Sequence, residues 1–543
     1  MHESHGGPEA AAMTNAELIV KTLEEAGVRW VFGIPSGPVL PLIDALSRST
    51  IEYVLTASET SAGFMASVVG MLTGKPGVAA STLGPGATNL STGIGSAWLD
   101  CAPAIAITCN VDTPWLERRI QMRIDHNALF GTLTKATYRL RTWNVGEVLH
   151  DAIGIALSEP PGPVHLDLPE DVAKAPALVG SVRPPVTAGL PPVARDAFPA
   201  LEKLLAGHRR PLFVFGQTLS RIPHPERLAR FVENQGIPFV STLAGKGCLP
   251  ESNHWFAGVV GRARRSDVLK LVRQADLIVA VGYDPIEINY EDWVGAIPVA
   301  HLSTVNAEAG PALKVLFNES GDLGEAIDRL VELPAMPHDW VLAEIGEHRA
   351  TFEANLRPQG DKFAAWEAID ILHEKLPTDG ILAYDVGAHL HQIASQWRID
   401  RTGSLLATNG WSSMGFGIPA TYAAKLIHPD RPVVGVVGDG CFEMTAGELA
   451  VGRRLNLAAP VVILNDGWLT LLRIKQDHRS SERSGVDLGA QVESPPHYFG
   501  VPCRPAKTRE EFAAAMDWAL SLDGPSVVEA FVDADAYDKT VFD

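Results

Sequence analysis

The chain has 543 residues and a formal net charge of −19, from 45 Lys and Arg against 64 Asp and Glu. This acidic balance argues against nucleic acid as the main partner, because phosphate binding requires a basic surface. Hydrophobic residues make up 46% and charged residues 20%, which is typical of globular proteins and excludes a disordered chain. At roughly 100–200 residues per domain, the length predicts three or four domains.

Cysteine spacing and hydropathy bear on the cellular compartment. The five cysteines are widely spaced and form no CxxC pair, so neither a disulfide framework nor a zinc site is predicted. No uncharged apolar run reaches the roughly 18–20 residues of a membrane span. Residues 1–12 lack the apolar core of a signal peptide and are predicted to form a loose tail. We therefore expect a cytoplasmic protein without a membrane partner.

The first predicted domain, 13–172, alternates strands with helices. Thr14-Asn15-Ala16-Glu17 has the pattern of a capping box, which predicts that a helix begins there. Apolar runs predict strands at 28–32, 53–55, 78–81, 104–108 and 164–168. Buried apolar strands that alternate with helices are typical of a parallel sheet covered on both faces.

Two further domains of the same kind follow, each after a Pro-rich segment. A linker is predicted at 173–198, a middle domain at 199–335, a second linker at 336–361 and a C-terminal domain at 362–543. Strands are predicted at 212–215, 238–241, 277–281, 299–302, 380–385, 433–437, 461–464 and 526–531. The expected fold class is α/β, with three doubly wound parallel-sheet domains.

The strongest local motif lies in the C-terminal domain. One predicted strand ends in Gly438-Asp439-Gly440 and the next in Asn465-Asp466-Gly467, with a helix expected from about Thr445 to Leu455. A right-handed βαβ unit brings both strand ends to one sheet edge, so Asp439 and Asp466 should lie close together. Paired carboxylates suit Mg²⁺, and a helix start suits a phosphate. Gly-Asp-Gly alone would indicate only a tight turn, but the second Asn-Asp-Gly favours a metal–diphosphate site.

Five other segments accompany this pair in a fixed order: 31–37, 58–62, 84–89, 162–169 and 414–419. Together these motifs resemble those of thiamine diphosphate-dependent enzymes of the acetolactate synthase and pyruvate decarboxylase superfamily, most closely the large catalytic subunits of acetolactate synthases. The resemblance covers nearly the whole chain. It implies a pyrimidine-binding domain at 13–172, a middle domain at 199–335 and a diphosphate-binding domain at 362–543.

The resemblance also assigns cofactor and metal ligands by position. Glu59 would hydrogen-bond the pyrimidine ring and start the proton transfer that activates the thiazolium C2, although from the residues alone it reads as an exposed acid. Met414 would be the apolar wedge that bends the cofactor, whereas the commoner fate of such a residue is a core methionine. Asp439 and Asp466 would bind Mg²⁺ with the carbonyl of Trp468, and the family usually has Asn at the Asp466 position. The other implied cofactor-binding residues are Gly37, Asn89, Gly438 and Gly440.

Fewer residues carry the substrate side. Gln121 is the first choice for contacting the substrate's carboxylate or hydroxyl group, with His126 in an alternative register, and a surface-loop role is equally open for both. Trp468 and Leu472 are expected to line the pocket, unless they form a purely structural helix face. Pyruvate decarboxylases have acidic residues where this chain has Gly37 and Leu472, and they carry a His-His pair that is missing here.

These departures favour carboligation over simple decarboxylation. The resemblance implies an enzyme that decarboxylates a pyruvate-like 2-oxo acid and adds the resulting carbanion–enamine to a second carbonyl compound. A decarboxylase that releases aldehyde and a non-catalytic cofactor-binding homologue remain alternatives.

The resemblance also bears on flavin and on assembly. The segment 275–287 resembles flavin-free synthases, so FAD is not expected. The family combines domains of two subunits in each active site. A homodimer or homotetramer is therefore expected, with Glu59 and Asp439 of one site supplied by different chains.

Overall fold

The computed structural model describes residues 13–178, 189–308, 310–489 and 493–542. The chain divides into two compact units, Met1–Ala188 and Gly189–Asp543. The predicted tail at 1–12 and the central part of the predicted linker at 173–198 lie outside the described residues. Among the helices described, none combines the length and the apolar character needed to cross a membrane.

In the first unit, six described strands form one sheet in the order β2-β1-β3-β4-β6-β5, with every neighbouring pair parallel. The strands are β1 Trp30–Gly33, β2 Glu52–Leu55, β3 Gly77–Ser81, β4 Ala104–Asn110, β5 Ala136–Arg139 and β6 Pro163–Pro169. The helices are α1 Asn15–Glu25, α2 Leu40–Leu46, α3 Glu59–Thr73, α4 Pro85–Leu99, α5 His126–Phe130, α6 Val145–Leu157 and α7 Glu170–Lys174. The capping box at Thr14 is confirmed, since its side chain accepts from Glu17 N–H and the Glu17 side chain accepts from Thr14 N–H.

The second unit contains two sheets, and the first of them has the described strand order β12-β11-β10-β7-β8-β9, all parallel. Its strands are β7 Pro211–Phe215, β8 Phe239–Ser241, β9 Phe256–Val259, β10 Leu277–Val281, β11 Val299–Ser303 and β12 Val315–Ser320. Its helices are α8 Ala197–Ala206, α9 Arg227–Gln235, α10 Arg265–Val272, α11 Leu323–Val331 and α12 Leu342–Asn355. Helix α12 lies inside the predicted linker 336–361, which is therefore not a simple connection.

The other sheet has the described order β14-β13-β15-β16-β19-β18-β17, and only β17 runs antiparallel to its neighbour. Its strands are β13 Ile381–Tyr384, β14 Leu405–Leu406, β15 Val433–Gly438, β16 Pro460–Asn465, β17 His497–Tyr498, β18 Val501–Ala506 and β19 Ser526–Phe531. Its helices are α13 Ala365–Lys375, α14 Ala388–Gln396, α15 Gly417–Ile427, α16 Asp439–Thr445, α17 Leu449–Arg454, α18 Thr470–His478 and α19 Arg509–Leu520. The predicted fold class, three parallel-sheet α/β domains, is confirmed.

One predicted boundary near the motif was wrong. The helix after β15 begins at Asp439 rather than near Thr445. Gly438 is extended, with φ −78° and ψ 162°, and directly precedes the first helical residue. Asp439, the first helical residue, accepts a hydrogen bond through Oδ1 from Gly440 N–H at 2.9 Å, and its negative charge suits the N-terminal end of a helix.

Candidate active site

Two acidic loops meet at one edge of the sheet that contains β15 and β16. These strands are parallel neighbours, with Gly438 paired to Leu464, so the residues that follow them emerge on the same side. Asp439 Oδ2 accepts a hydrogen bond from Gly467 N–H at 2.7 Å, which joins the first loop to the second. Asp466 Oδ1 accepts from Thr470 Oγ1 at 2.8 Å. The two carboxylates predicted from the sequence are therefore brought together.

Burial gives both carboxyl groups unusual titration behaviour. It raises the pKa of Asp439 to about 6. Burial and, second, the charge of Asp439 raise the pKa of Asp466 to about 7. Two adjacent carboxylates repel each other when both are charged, and a cation between them relieves this repulsion. Oxygen donors of this kind are the ligands that Mg²⁺ prefers in proteins.

Because metal binding requires charged carboxylates, we expect the affinity for Mg²⁺ to rise as pH increases from about 5.5 to about 7.5. Below about pH 6 both groups hold protons that the metal must displace. Asp466→Asn should flatten this dependence, since only Asp439 then titrates. Calorimetric titration with Mg²⁺ and thiamine diphosphate over this pH range measures the effect. An affinity independent of pH in the unsubstituted protein would contradict the expectation.

Trp468, the third predicted metal ligand, lies in the same turn. Its N–H donates to Asp466 Oδ1 at 3.0 Å, and it is bridged to Asp487 across a short antiparallel pairing. Gly467 has φ +76°, the left-handed conformation that lets the chain turn tightly there. Within the described residues, no three His, Cys, Asp or Glu side chains group as a metal site. A site built on Asp439 and Asp466 would thus need backbone or ligand oxygens to complete it.

The glycines of the first loop let the backbone pack closely against neighbouring side chains. A Cβ built on Gly438 would lie 3.0 Å from His389 Cε1. A Cβ built on Gly440 would lie 2.7 Å from Leu469 Cδ2 and 3.3 Å from Met414 Cε. His389 is buried, and no described residue reaches its Nε2 as a hydrogen-bond partner. A buried ring nitrogen without a partner beside a glycine loop fits a polar group such as a diphosphate.

Met414 is held at this edge by a buried carboxylate that sequence reasoning did not single out. Asp385 follows β13, and its carboxylate accepts from Gly415 N–H at 3.0 and 3.1 Å and from Gly417 N–H at 2.8 Å. Val386 N–H adds a fourth bond at 2.8 Å. Gly415 has φ +92°, so the turn after Met414 requires a glycine. Asp385 therefore fixes the segment that carries Met414.

In the unit Met1–Ala188, Glu59 begins α3, and Asn89 lies in the second turn of α4. Glu59 is the first residue of α3 and is only 7% exposed. Asn89 Nδ2 donates to Glu59 Oε2 at 3.1 Å. A Cβ built on Gly63 would lie 2.7 Å from Gly93 Cα, so α3 and α4 touch backbone to backbone. This contact sets the spacing at which the amide meets the carboxylate.

The remaining predicted residues differ in exposure. Gly37 begins a short 3₁₀ helix, and no described atom lies within 4 Å of a Cβ built on it. Gln121 is exposed, and the carbonyl oxygen of its neighbour Met122 would lie 2.2 Å from a Cβ on Gly84. His126 is fully buried. The side chain of Leu472, in α18, is available for contact, since the residue is 45% exposed.

Comparisons with known proteins agree with this arrangement. Residues 13–129 match the N-terminal, residues 200–330 the central and residues 385–530 the C-terminal domain of the thiamine pyrophosphate enzyme family. The chain is similar to the acetolactate synthase large subunit of Lactococcus lactis subsp. lactis, 31% identical over 87% of this chain and 84% of that protein. It is 30% identical to the acetolactate synthase of Mycobacterium bovis over 96% of this chain and 89% of that one. The acetolactate synthase of Bacillus subtilis is 28% identical over 95% of this chain and 93% of its own length.

Proposed function

Since the chain belongs to the thiamine pyrophosphate enzyme family and has acetolactate synthases among its relatives, we propose that it is a thiamine diphosphate- and Mg²⁺-dependent carboligase. It decarboxylates a pyruvate-like 2-oxo acid and joins the remaining carbons to a second carbonyl compound. The observation that carries the proposal is the sheet edge at which Asp439, Asp466 and Met414 surround a glycine loop.

Each residue has a distinct part in the proposed reaction. When bound, thiamine diphosphate supplies an acidic thiazolium carbon that becomes a nucleophile and an electron sink. Asp439 and Asp466 would hold Mg²⁺ with the carbonyl of Trp468, and His389 Nε2, which has no partner among the described residues, could contact the diphosphate. Glu59 would hold the pyrimidine nitrogen and exchange a proton with it, and Asn89 orients the Glu59 carboxylate. Met414 would supply the apolar surface that supports a bent cofactor.

The preference for ligation over aldehyde release is inferred from two positions that lack an acidic side chain. Gly37 and Leu472 stand where pyruvate decarboxylases have carboxylic acids. Without a proton donor at these places, the bound fragment persists long enough to attack a second carbonyl. Gln121, on an exposed segment next to Gly84, contacts the carboxylate or hydroxyl group of the substrates.

Replacing Gly37 by aspartate tests this choice. The position has room for a side chain, since no described atom lies within 4 Å of a built Cβ. A carboxylic acid there can deliver a proton, so we expect the ratio of free aldehyde to ligation product to rise by about 10-fold or more. Gly37→Asn, which matches the aspartate in size but carries no acidic proton, is the control. Equal product ratios in both variants would contradict the proposed role.

We propose that the middle domain binds no flavin, because its nucleotide crevice is occupied by the chain itself. In a sheet of this order, dinucleotides bind where the strand order reverses, here between β7 and β10. There Glu287 Oε1 accepts from Gln217 N–H at 2.9 Å and from Asp284 N–H at 3.2 Å. A Cβ on Gly216 would lie 2.7 Å from the same oxygen. The N–H groups of Gln217 and Asp284 are therefore bound to Glu287 and are not available to a phosphate.

We further propose a cytoplasmic homodimer or homotetramer whose active sites take residues from two subunits. The five cysteines are free and buried, which suits a reducing compartment. In the family, Glu59 and Asp439 of one site come from different chains. A monomer that retains full turnover would contradict this assembly.

The decisive experiment measures products. The purified protein, with thiamine diphosphate and Mg²⁺, is incubated with a panel of 2-oxo acids, alone and with aldehyde acceptors, and the products are identified by mass spectrometry. Acetolactate or another 2-hydroxy ketone supports the proposal. Free aldehyde alone identifies a simple decarboxylase, and bound cofactor without turnover identifies a non-catalytic homologue.

A further inference from the structure

We propose that His126 is a positioning residue for Glu59 and acts through the backbone of Gly84. His126 begins α5 and is fully buried. Its Nε2 accepts a hydrogen bond from Gly84 N–H at 3.3 Å. Gly84 is the cap residue of α4, the helix that carries Asn89. The inference rests on the proposed function in one respect, because it takes Glu59 to be the group that activates the cofactor.

The backbone N–H of Gly84 can only donate, and this fixes the tautomer of His126. With Nε2 as the acceptor, a neutral ring carries its proton on Nδ1. Nδ1 lies 2.8 Å from Thr108 Oγ1 and 3.3 Å from Asp167 Oδ1. Both oxygens can accept that proton, and the negative charge of Asp167 favours the protonated Nδ1.

The hydrogen bonds that Asp167 accepts favour its charged form. Asn110 Nδ2 donates to its Oδ1 at 2.9 Å, and Arg139 Nε donates to its Oδ2 at 3.0 Å. Burial alone would raise the pKa of Asp167, but hydrogen bonds from His126 and Asn110 hold it below its ordinary value. The tautomer of His126 is thus set from one side by a carboxylate and from the other by a peptide N–H.

A chain of hydrogen bonds runs from His126 through Thr108 to a second histidine, His165, with each group donating to the next. Thr108 Oγ1 lies 2.8 Å from His165 Nε2, and Thr137 Oγ1 lies 2.6 Å from His165 Nδ1. When Thr108 accepts from His126, its own proton is directed to His165 Nε2, and His165 then donates through Nδ1 to Thr137. Burial lowers the pKa of His165 to about 3, so this ring is neutral, as the sequence of bonds requires. Aligned hydrogen bonds strengthen one another in a buried setting.

The start of α4 transmits this arrangement to Glu59. A Cβ on Gly84 would lie 2.2 Å from the Met122 carbonyl oxygen, so Gly84 is held on that side as well as by His126. Further along the helix, a Cβ on Gly86 would lie 3.2 Å from Glu59 Oε1. Asn89 donates to Glu59 Oε2 at 3.1 Å. A displaced Gly84 therefore shifts both groups that contact the carboxylate.

Two substitutions at His126 distinguish the role of Nε2 from that of Nδ1. Glutamine reaches the position of Nε2 and keeps an acceptor for Gly84 N–H, whereas asparagine reaches only the position of Nδ1. In the protein without cofactor, we expect hydrogen exchange of a peptide that covers Gly84 to quicken by about 10-fold in His126→Asn. In His126→Gln it should stay near the unsubstituted rate. Equal exchange in the two variants would overturn the proposal.

Asp167→Asn gives a second test should His126→Asn fail to fold. Its amide can donate to Nδ1 and so favour the tautomer with a proton on Nε2, which opposes Gly84 N–H. The same rise in exchange is expected, and an unchanged rate would overturn the proposal. These measurements need no cofactor, so a protein that never binds thiamine diphosphate would refute the proposed function and leave the His126–Gly84 contact tested separately.

The loaded enzyme gives the functional readout. We expect His126→Asn to lower kcat by about 10–100-fold while KM for the 2-oxo acid changes by less than about threefold, because Glu59 moves and the substrate pocket does not. His126→Gln should restore most of kcat. A rise in KM with kcat unchanged would assign His126 to substrate binding instead and overturn the positioning role.

Discussion

Replacing Glu59 by glutamine is expected to lower turnover by about 10²–10⁴-fold, the range that a positioned acid–base group contributes. Glutamine keeps the shape of the side chain and an oxygen that can accept from Asn89 Nδ2, whose bond to Glu59 is 3.1 Å long. It cannot exchange a proton with the pyrimidine ring. Binding of thiamine diphosphate and Mg²⁺ should change by no more than a few-fold, because the metal ligands are untouched.

Steady-state kinetics and calorimetric cofactor titration on the same preparation measure both effects. Glu52→Gln is the matched control, since this glutamate is exposed on β2 of the same unit and should leave turnover unchanged. Loss of cofactor binding in Glu59→Gln would make Glu59 a binding residue. Turnover near that of the unsubstituted enzyme would remove it from the reaction altogether.

Replacing Asp439 by asparagine should weaken metal-supported cofactor binding by at least about 100-fold, since altering even a group that only supports a metal ligand costs 10–100-fold. Both carboxylate oxygens of Asp439 are already engaged by N–H groups, from Gly440 at 2.9 Å and from Gly467 at 2.7 Å. An amide would direct its NH₂ at one of these donors. The substitution therefore removes the negative charge of a metal ligand and breaks one of these two hydrogen bonds.

The measurement is calorimetric titration with thiamine diphosphate and Mg²⁺ at pH 7.5. Asp466→Asn should lose far less affinity, because an amide oxygen still binds Mg²⁺ and the repulsion from Asp439 is relieved. Asp523→Asn, an exposed surface substitution, should match the unsubstituted protein. If Asp439→Asn binds as tightly as this control, the metal site lies elsewhere.

Features that depend on neighbouring residues in the chain could be predicted from the sequence. The apolar runs of β3, β4 and β6 predicted their strands because every residue in them is buried. β5, Ala136–Arg139, was missed because it is a short edge strand whose residues are all half-buried. The adjacency of Asp439 and Asp466 followed from the handedness of a βαβ unit, a rule that needs no tertiary detail.

Contacts between distant segments were out of reach. Asp385 was placed at a strand end but given no role, because its importance comes from Gly415 and Gly417 folding back onto it. His389 gave no motif, and only its burial beside Gly438 marks it. The contact of His126 with Asp167 could not be predicted either, because a sequence does not reveal that α5 packs its first side chain against that carboxylate.

The glycine contact between α3 and α4 has a consequence for how this enzyme can be altered. Gly63 and Gly93 leave no gap between the two backbones. The two helices therefore behave as one rigid unit that holds Glu59 and Asn89 at a fixed separation. A methyl group added at Gly63 or Gly93 would push the helices apart and separate Glu59 from Asn89. Turnover is therefore sensitive to positions that touch neither substrate nor cofactor. Efforts to broaden the range of accepted carbonyl compounds should therefore vary the residues that line the pocket and leave Gly63 and Gly93 unchanged.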